Sequence, residues 1–214
     1  MSWKWDKRIH NYRDSETGKI LSRERALEFV DESLLESTNV SSDLAELVAD
    51  GRLSATDWQR LMRSELKTEY IREYMLGRGG RPQMTSADWG SIGGSLAEQY
   101  RYLIGFTAQI AAGALTAGQI KMRSAMYINS AREAFFRGLS RAFGIPNGRL
   151  PAQPGDGSTE CLTNCKCSWT IEPIYDEAGA IIRWDCYWKY GETEDHCDTC
   201  RQREAAWSPY VINR

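Results

Sequence analysis

Histidine is nearly absent: His10 and His196 are the only two in 214 residues. Chemistry that cycles a proton through imidazole is therefore disfavoured. Cysteine is missing from the first 160 positions, and all six occur between 161 and 200. No run of about 18 apolar residues occurs, so no segment is expected to span a membrane as a helix. The opening Met1-Ser2-Trp3-Lys4-Trp5-Asp6 lacks the apolar stretch of a signal peptide, so secretion by that route is not expected. Neither charge dominates: 27 Lys and Arg oppose 29 Asp and Glu, for a net charge of −2. That excludes a uniformly basic nucleic-acid binder and a disordered acidic tail. What is present is ordinary for a chain that buries a core, with 42% apolar and 11% aromatic residues.

The balanced total hides a gradient. Residues 1–75 carry 12 basic and 15 acidic groups, residues 76–150 carry 9 and 3, and residues 151–214 carry 6 and 11. A basic middle between acidic ends points to a face that meets an anion or other subunits. Arg123, Arg132, Arg137 and Arg141 are its candidates for nucleic-acid contact, since phosphate contact needs only positive charge and reach. The alternative is a set of solvated arginines on long helices.

Pro146, Gly148, Pro151, Pro154, Gly155 and Gly157 crowd into twelve positions, which breaks helices and marks a boundary. The expected organisation is an N-terminal arm over 1–21, read as a small hairpin or hooked arm turning at Gly18, a helical domain over 22–145, a linker over 146–160 and a small Cys-rich module over 161–214. Within the helical domain, Ser22, Ser54, Thr85 and Thr116 read as N-caps ahead of apolar residues at helical spacing. A further short helix is expected after Ser42-Asp43, and one long helix from Thr116 through Leu139. Ser54, Thr85 and Thr116 are spaced evenly, which helices of similar length explain more simply than a repeat. Gly90-Ser91-Ile92-Gly93-Gly94 lacks the Lys-Ser/Thr of a phosphate loop and is read as a close helix contact. Long helices with short turns predict a mainly α fold, an antiparallel helical bundle followed by a small Cys-rich β-hairpin module.

In the tail, Cys161 and Cys165 form a C-x3-C, Cys167 follows, and Cys197 and Cys200 form a C-x2-C. These five are the candidate metal ligands, because tight knuckles let thiolates meet one tetrahedral ion; structural zinc is the expected cofactor. His196 is an alternative ligand. Disulfides or free thiols remain open readings of the same cysteines. Cys186 differs: in Ile182-Arg183-Trp184-Asp185-Cys186-Tyr187-Trp188 it alternates with large apolar residues and reads as a buried strand position. Its partner strand is Ser168–Tyr175, joined through Asp176-Glu177-Ala178-Gly179. An antiparallel hairpin brings its open ends together, so the two cysteine groups should converge.

Pro154-Gly155-Asp156-Gly157-Ser158-Thr159 followed by Asn164-Cys165-Lys166-Cys167 resembles the C-terminal signature of phage head-morphogenesis proteins, the Mu F-like minor head family. Lys166 stands where that signature usually carries Arg. The acidic approach Glu194-Asp195-His196 to the C-x2-C is also similar, although in the commoner arrangement the C-x2-C precedes the Asn-Cys-Arg-Cys. The resemblance implies a non-enzymatic virion component acting in capsid assembly or DNA packaging near the portal. Its implied partners are the portal or major capsid protein and packaged DNA, and its implied location is the virion, reached from the host cytoplasm. A zinc-containing non-specific nucleic-acid-binding or regulatory protein is the alternative.

Overall fold

A computed structural model describes residues 3–191 and 196–214. The fold is mainly α, with two small antiparallel sheets. The N-terminal residues form β1 (Trp3–Asp6), β2 (Asn11–Asp14) and β3 (Ile20–Leu21), paired in that order. The hairpin turning at Gly18 is present as β2 and β3, and it packs onto the helices instead of standing off as an arm. Trp5, Tyr12 and Leu21 alternate onto one face and are buried, and the Tyr12 hydroxyl donates to the Gly77 carbonyl at 2.9 Å. Burial of three large side chains outweighs the freedom of a terminal strand.

The caps act as their residue types dictate. Ser22 Oγ accepts the Arg25 N–H at the start of α1 (Arg23–Ala49), and Ser54 Oγ accepts that of Asp57 at the start of α2 (Ala55–Arg78). Reciprocal boxes open α3 (Ser86–Ala111) through Thr85 and Asp88, and α4 (Ala117–Asn129) through Thr116 and Gln119. Two expectations fail nearby. The segment around Ser42-Asp43 starts no new helix, because α1 runs through it. The hydroxyl beside it is used elsewhere, since Ser41 donates back to the Thr38 carbonyl, and one and two turns earlier Ser37 and Ser33 donate to Glu69 and Glu73 of α2. Conversely, the expected long helix from Thr116 breaks. Ser130 Oγ bonds the Tyr127 carbonyl and the Tyr70 hydroxyl, the next turns tighten to i→i+3 bonds, and α5 (Arg132–Ala142) starts afresh.

Helix α2 is central and packs on α1, α3 and most extensively on α5. Gly90, Gly93 and Gly94 lie within α3 and have open space where a side chain would be, so they make no close contact. That role falls to Gly77 of α2 and Gly138 of α5.

The second sheet comprises β4 (Ser168–Tyr175), β5 (Ile181–Lys189) and β6 (Tyr210–Asn213), with α6 (Asp198–Ala206) between the last two strands. Trp169 pairs with Trp188, Ile171 with Cys186, and Ser168 with Lys189 at the open end. Cys186 is fully buried, whereas Ile182, on the same alternation, is exposed near the turn end. Trp169, Trp188 and Trp207 pack ring on ring with centroids 5.1–5.8 Å apart.

Residues 146–160 do not behave as a loose linker. Leu150, Ala152, Gln153 and Thr159 are buried, and the Trp169 indole donates to the Ala152 carbonyl at 3.0 Å. Trp184 donates to the Phe143 carbonyl, also at 3.0 Å, and His10 stacks on Phe143 while bonding the Tyr175 hydroxyl. One hydrophobic core runs from Trp5 through α1–α5 into Trp169, Trp184 and Trp188.

Candidate metal centre

The open end of the β4–β5 hairpin gathers the cysteines. Cys167 immediately precedes Ser168, which pairs with Lys189. Two residues on, Gly191 sits so tightly against Lys166 that an added Cβ would lie 2.6 Å from the Lys166 carbonyl oxygen. On the other side, a 3₁₀ turn over Leu162–Asn164 folds Cys161 and Cys165 back beside that end. Cys197 caps α6 and Cys200 lies in its first turn. Glu160 accepts the Asp198 N–H, and Arg203 donates to the Ser158 carbonyl and hydroxyl, which ties α6 to the segment before Cys161.

The sulfurs of Cys161 and Cys197 are 3.8 Å apart, and so are those of Cys165 and Cys200. Two trios form, Cys161–Cys197–Cys200 and Cys165–Cys167–Cys200, with sulfurs in each within 4.8 Å of one another. Cys200 belongs to both. A tetrahedral ion about 2.3 Å from each sulfur spaces its ligands about 3.8 Å apart, whereas bonded sulfurs lie about 2.05 Å apart. The described donors and their spacing therefore fit a thiophilic cation, and this cluster can hold a metal ion.

Burial sets the thiol chemistry. It pushes Cys161 up to about 11, and it also raises Cys200. Cys165 is raised first by its hydrogen bond with Cys167 and then by burial. Cys197 runs the other way: burial pushes it up, but hydrogen bonds from the Cys200 backbone N–H and side chain outweigh that and leave it lowered. Crowded, buried thiols resist ionisation until a cation compensates several negative charges in one place.

All five expected ligands are brought together, and Cys186 stays out of the cluster. His196 lines the adjoining cavity with its ring stacked on Tyr190, centroids 4.2 Å apart. Glu194 and Asp195 lie outside the described residues.

The four arginines expected at a nucleic-acid face are each engaged within the chain. Arg132 is 3% exposed and pairs with Asp31. Arg137 pairs with Glu133, and Arg141 with the buried Asp88. Arg123 lies over the Phe106 ring at 4.1 Å and donates to Gln109. Their partners come from α1 and α3 as well as α5, and spacing along the chain does not show them. Asp31, not expected from the sequence, accepts from both Arg132 and Lys166, the latter at 2.9 Å. No local pattern marks that residue.

No protein-family model, curated protein or solved structure matches this chain.

Proposed function

We propose that this protein is a structural component of a phage head, of the minor head or head-morphogenesis kind, and that its cysteine cluster is a structural zinc site. The observation that carries the reading is the position of the signature-like segment. Gly155 of the Pro-Gly-Asp stretch passes so close to α5 that an added Cβ would lie 3.0 Å from Arg132 Cβ. Asp156 accepts the Gln153 N–H at 2.8 Å and shapes that turn. Asn164 accepts from Asn129 of α4, Cys165 and Cys167 join the cluster, and Lys166 pairs with Asp31 of α1. Lys166, where the signature usually carries Arg, keeps the cation that this pair needs.

In this reading the helices act as an antiparallel bundle and the Cys-rich hairpin as its end piece. Zinc would be held by four thiolates drawn from Cys161, Cys165, Cys167, Cys197 and Cys200. Such a closed, sulfur-rich set supplies folding energy rather than catalysis. The role is non-enzymatic. The partner is a portal or major capsid protein, with the chain in the virion after assembly in the host cytoplasm. Contact with packaged DNA through the four arginines is not part of the proposal, because Arg132, Arg137 and Arg141 are paired with carboxylates and Arg123 is held by Gln109 and the Phe106 ring.

The reading is tested by mass spectrometry of heads and proheads purified by density gradient from cells in which this gene is expressed during phage production. The protein is expected in at least one particle fraction at a fixed ratio to the portal. Its absence from every particle fraction overturns the head assignment. The metal part is tested separately on purified protein.

A further inference from the structure

We propose that the groove between β1, α2 and the turn Arg81–Gln83 binds a short acidic amphipathic segment of a partner protein. The groove has a volume of about 820 Å³ and shares no lining residue with the cavity beside the cysteines. Its volume is in the range of ligand-binding pockets, and it is open along one side, as a groove for an extended segment must be.

Its two chemistries are separated. Trp3, Ile71, Met75 and Leu76 supply an apolar lining, where a partner's large side chains lose water. Lys4, Lys67 and Arg81 stand on the same groove, exposed, and hold no carboxylate partner among the described residues. Arg72 lines it too, but its guanidinium is already held by Glu69 at 2.6 Å. Among the described residues no carboxylate lines the groove, in a chain with more acidic than basic residues. Elsewhere Arg132, Arg137 and Arg141 are each matched by an acid from the chain itself.

Unpaired cations around an apolar lining select a ligand with carboxylates beside large apolar side chains. A nucleic-acid backbone would satisfy the cations and leave the apolar lining empty. A purely apolar partner would leave three charges desolvated without a counter-charge. An acidic amphipathic peptide satisfies both.

The probe is a fluorescein-labelled peptide of twelve residues alternating Glu and Leu, titrated onto the full chain and followed by anisotropy. Saturable binding is expected. The double variant Lys67→Glu/Arg81→Glu should weaken it at least tenfold, with an unchanged circular dichroism spectrum because both side chains are exposed. Replacing the peptide's Leu with Ser should also weaken binding at least tenfold. A photo-crosslinking version of the peptide should attach near Lys4 or Lys67. Absence of saturable binding overturns the proposal. So does equal binding of oligo-glutamate or of a single-stranded oligonucleotide, indifference to the double variant, or a crosslink confined to another face.

Discussion

Gly77 and Gly138 are pressed backbone to backbone where α2 crosses α5. A Cβ on Gly77 would sit 2.0 Å from the Phe135 carbonyl oxygen, and one on Gly138 would sit 2.3 Å from the Tyr74 carbonyl oxygen. No rotamer relieves a clash with main chain, so the two helices must part. Gly77→Ala and Gly138→Ala should each destabilise the protein by about 3 kcal/mol, the upper end for overpacking, because no side chain can yield. Gly93→Ala is the control. Its Cβ meets open space inside α3, and the gain in helix propensity should stabilise by about 0.5–1 kcal/mol. Urea titration of the three variants measures both signs; a neutral Gly138→Ala contradicts the crossing.

The cysteine cluster makes a stoichiometric prediction. Protein purified under reducing conditions should carry about one zinc per chain, the load of a single four-thiolate site. Two per chain would mean that both trios are filled around Cys200. Cys200→Ser removes the sulfur common to both trios, so it should lower metal content more than Cys167→Ser does. Because the core is continuous from Phe143 to Trp184, chelation should lower a single thermal transition rather than release a separate tail. Elemental analysis with calorimetry reads both. A protein free of metal with unchanged melting rejects the site.

Glu73 is fully buried between α1, α2 and α5, bonded by Ser33 at 2.8 Å, with Glu69, Arg72 and Arg132 nearby. Burial pushes its carboxyl up to about 8. The folded state then holds a proton that the unfolded chain has released, so this group costs stability as pH climbs from the ordinary carboxylate range to about 8. Glu73→Gln should flatten that part of the stability profile and raise stability most above pH 8. Denaturant midpoints measured from pH 5 to 9 give the slope, which the substitution should reduce. An unchanged slope contradicts the assignment.

Asp88 has the opposite sign. Burial alone would raise it, but bonds from Thr85 and Tyr74 and the charge of Arg78 outweigh burial and hold it below its usual range. Its contribution is complete at neutral pH and is lost as pH falls through that lowered value. Asp88→Asn leaves Arg78 and Arg141 without their carboxylate and should cost about 3 kcal/mol at pH 7, the low end for a buried pair because both arginines are partly wetted. The deficit should shrink toward acid pH. A constant deficit across pH would mean that charge plays no part.

Asp31 couples the cysteine-bearing segment to the helices, since it accepts from Arg132 of α5 and from Lys166 between Cys165 and Cys167. Asp31→Ala should destabilise by about 2 kcal/mol, moderated by the partial exposure of Asp31. It should also speed alkylation of Cys165 and Cys167 in metal-free protein. Mass-resolved labelling rates check this; rates equal to those of the unsubstituted protein would uncouple the two.

The four helix starts were legible because a cap is a local bargain between a hydroxyl and a backbone N–H two or three residues away. The hairpin and the meeting of the cysteines were legible for a related reason: alternation fixes the strands, and antiparallel pairing returns the chain to its origin. Ser42 and the glycines of α3 misled because their residue types permit a cap or a contact without requiring one. The sequence by itself determined the mainly α fold, the place of the caps and the five sulfurs able to share an ion. Only the tertiary structure decided which charges are free. Arg132, Arg137 and Arg141 are matched by Asp31, Glu133 and Asp88, two of them from other helices, while Lys67 and Arg81 have no carboxylate partner among the described residues. Charge pairing acts across space, and no spacing along the chain records it.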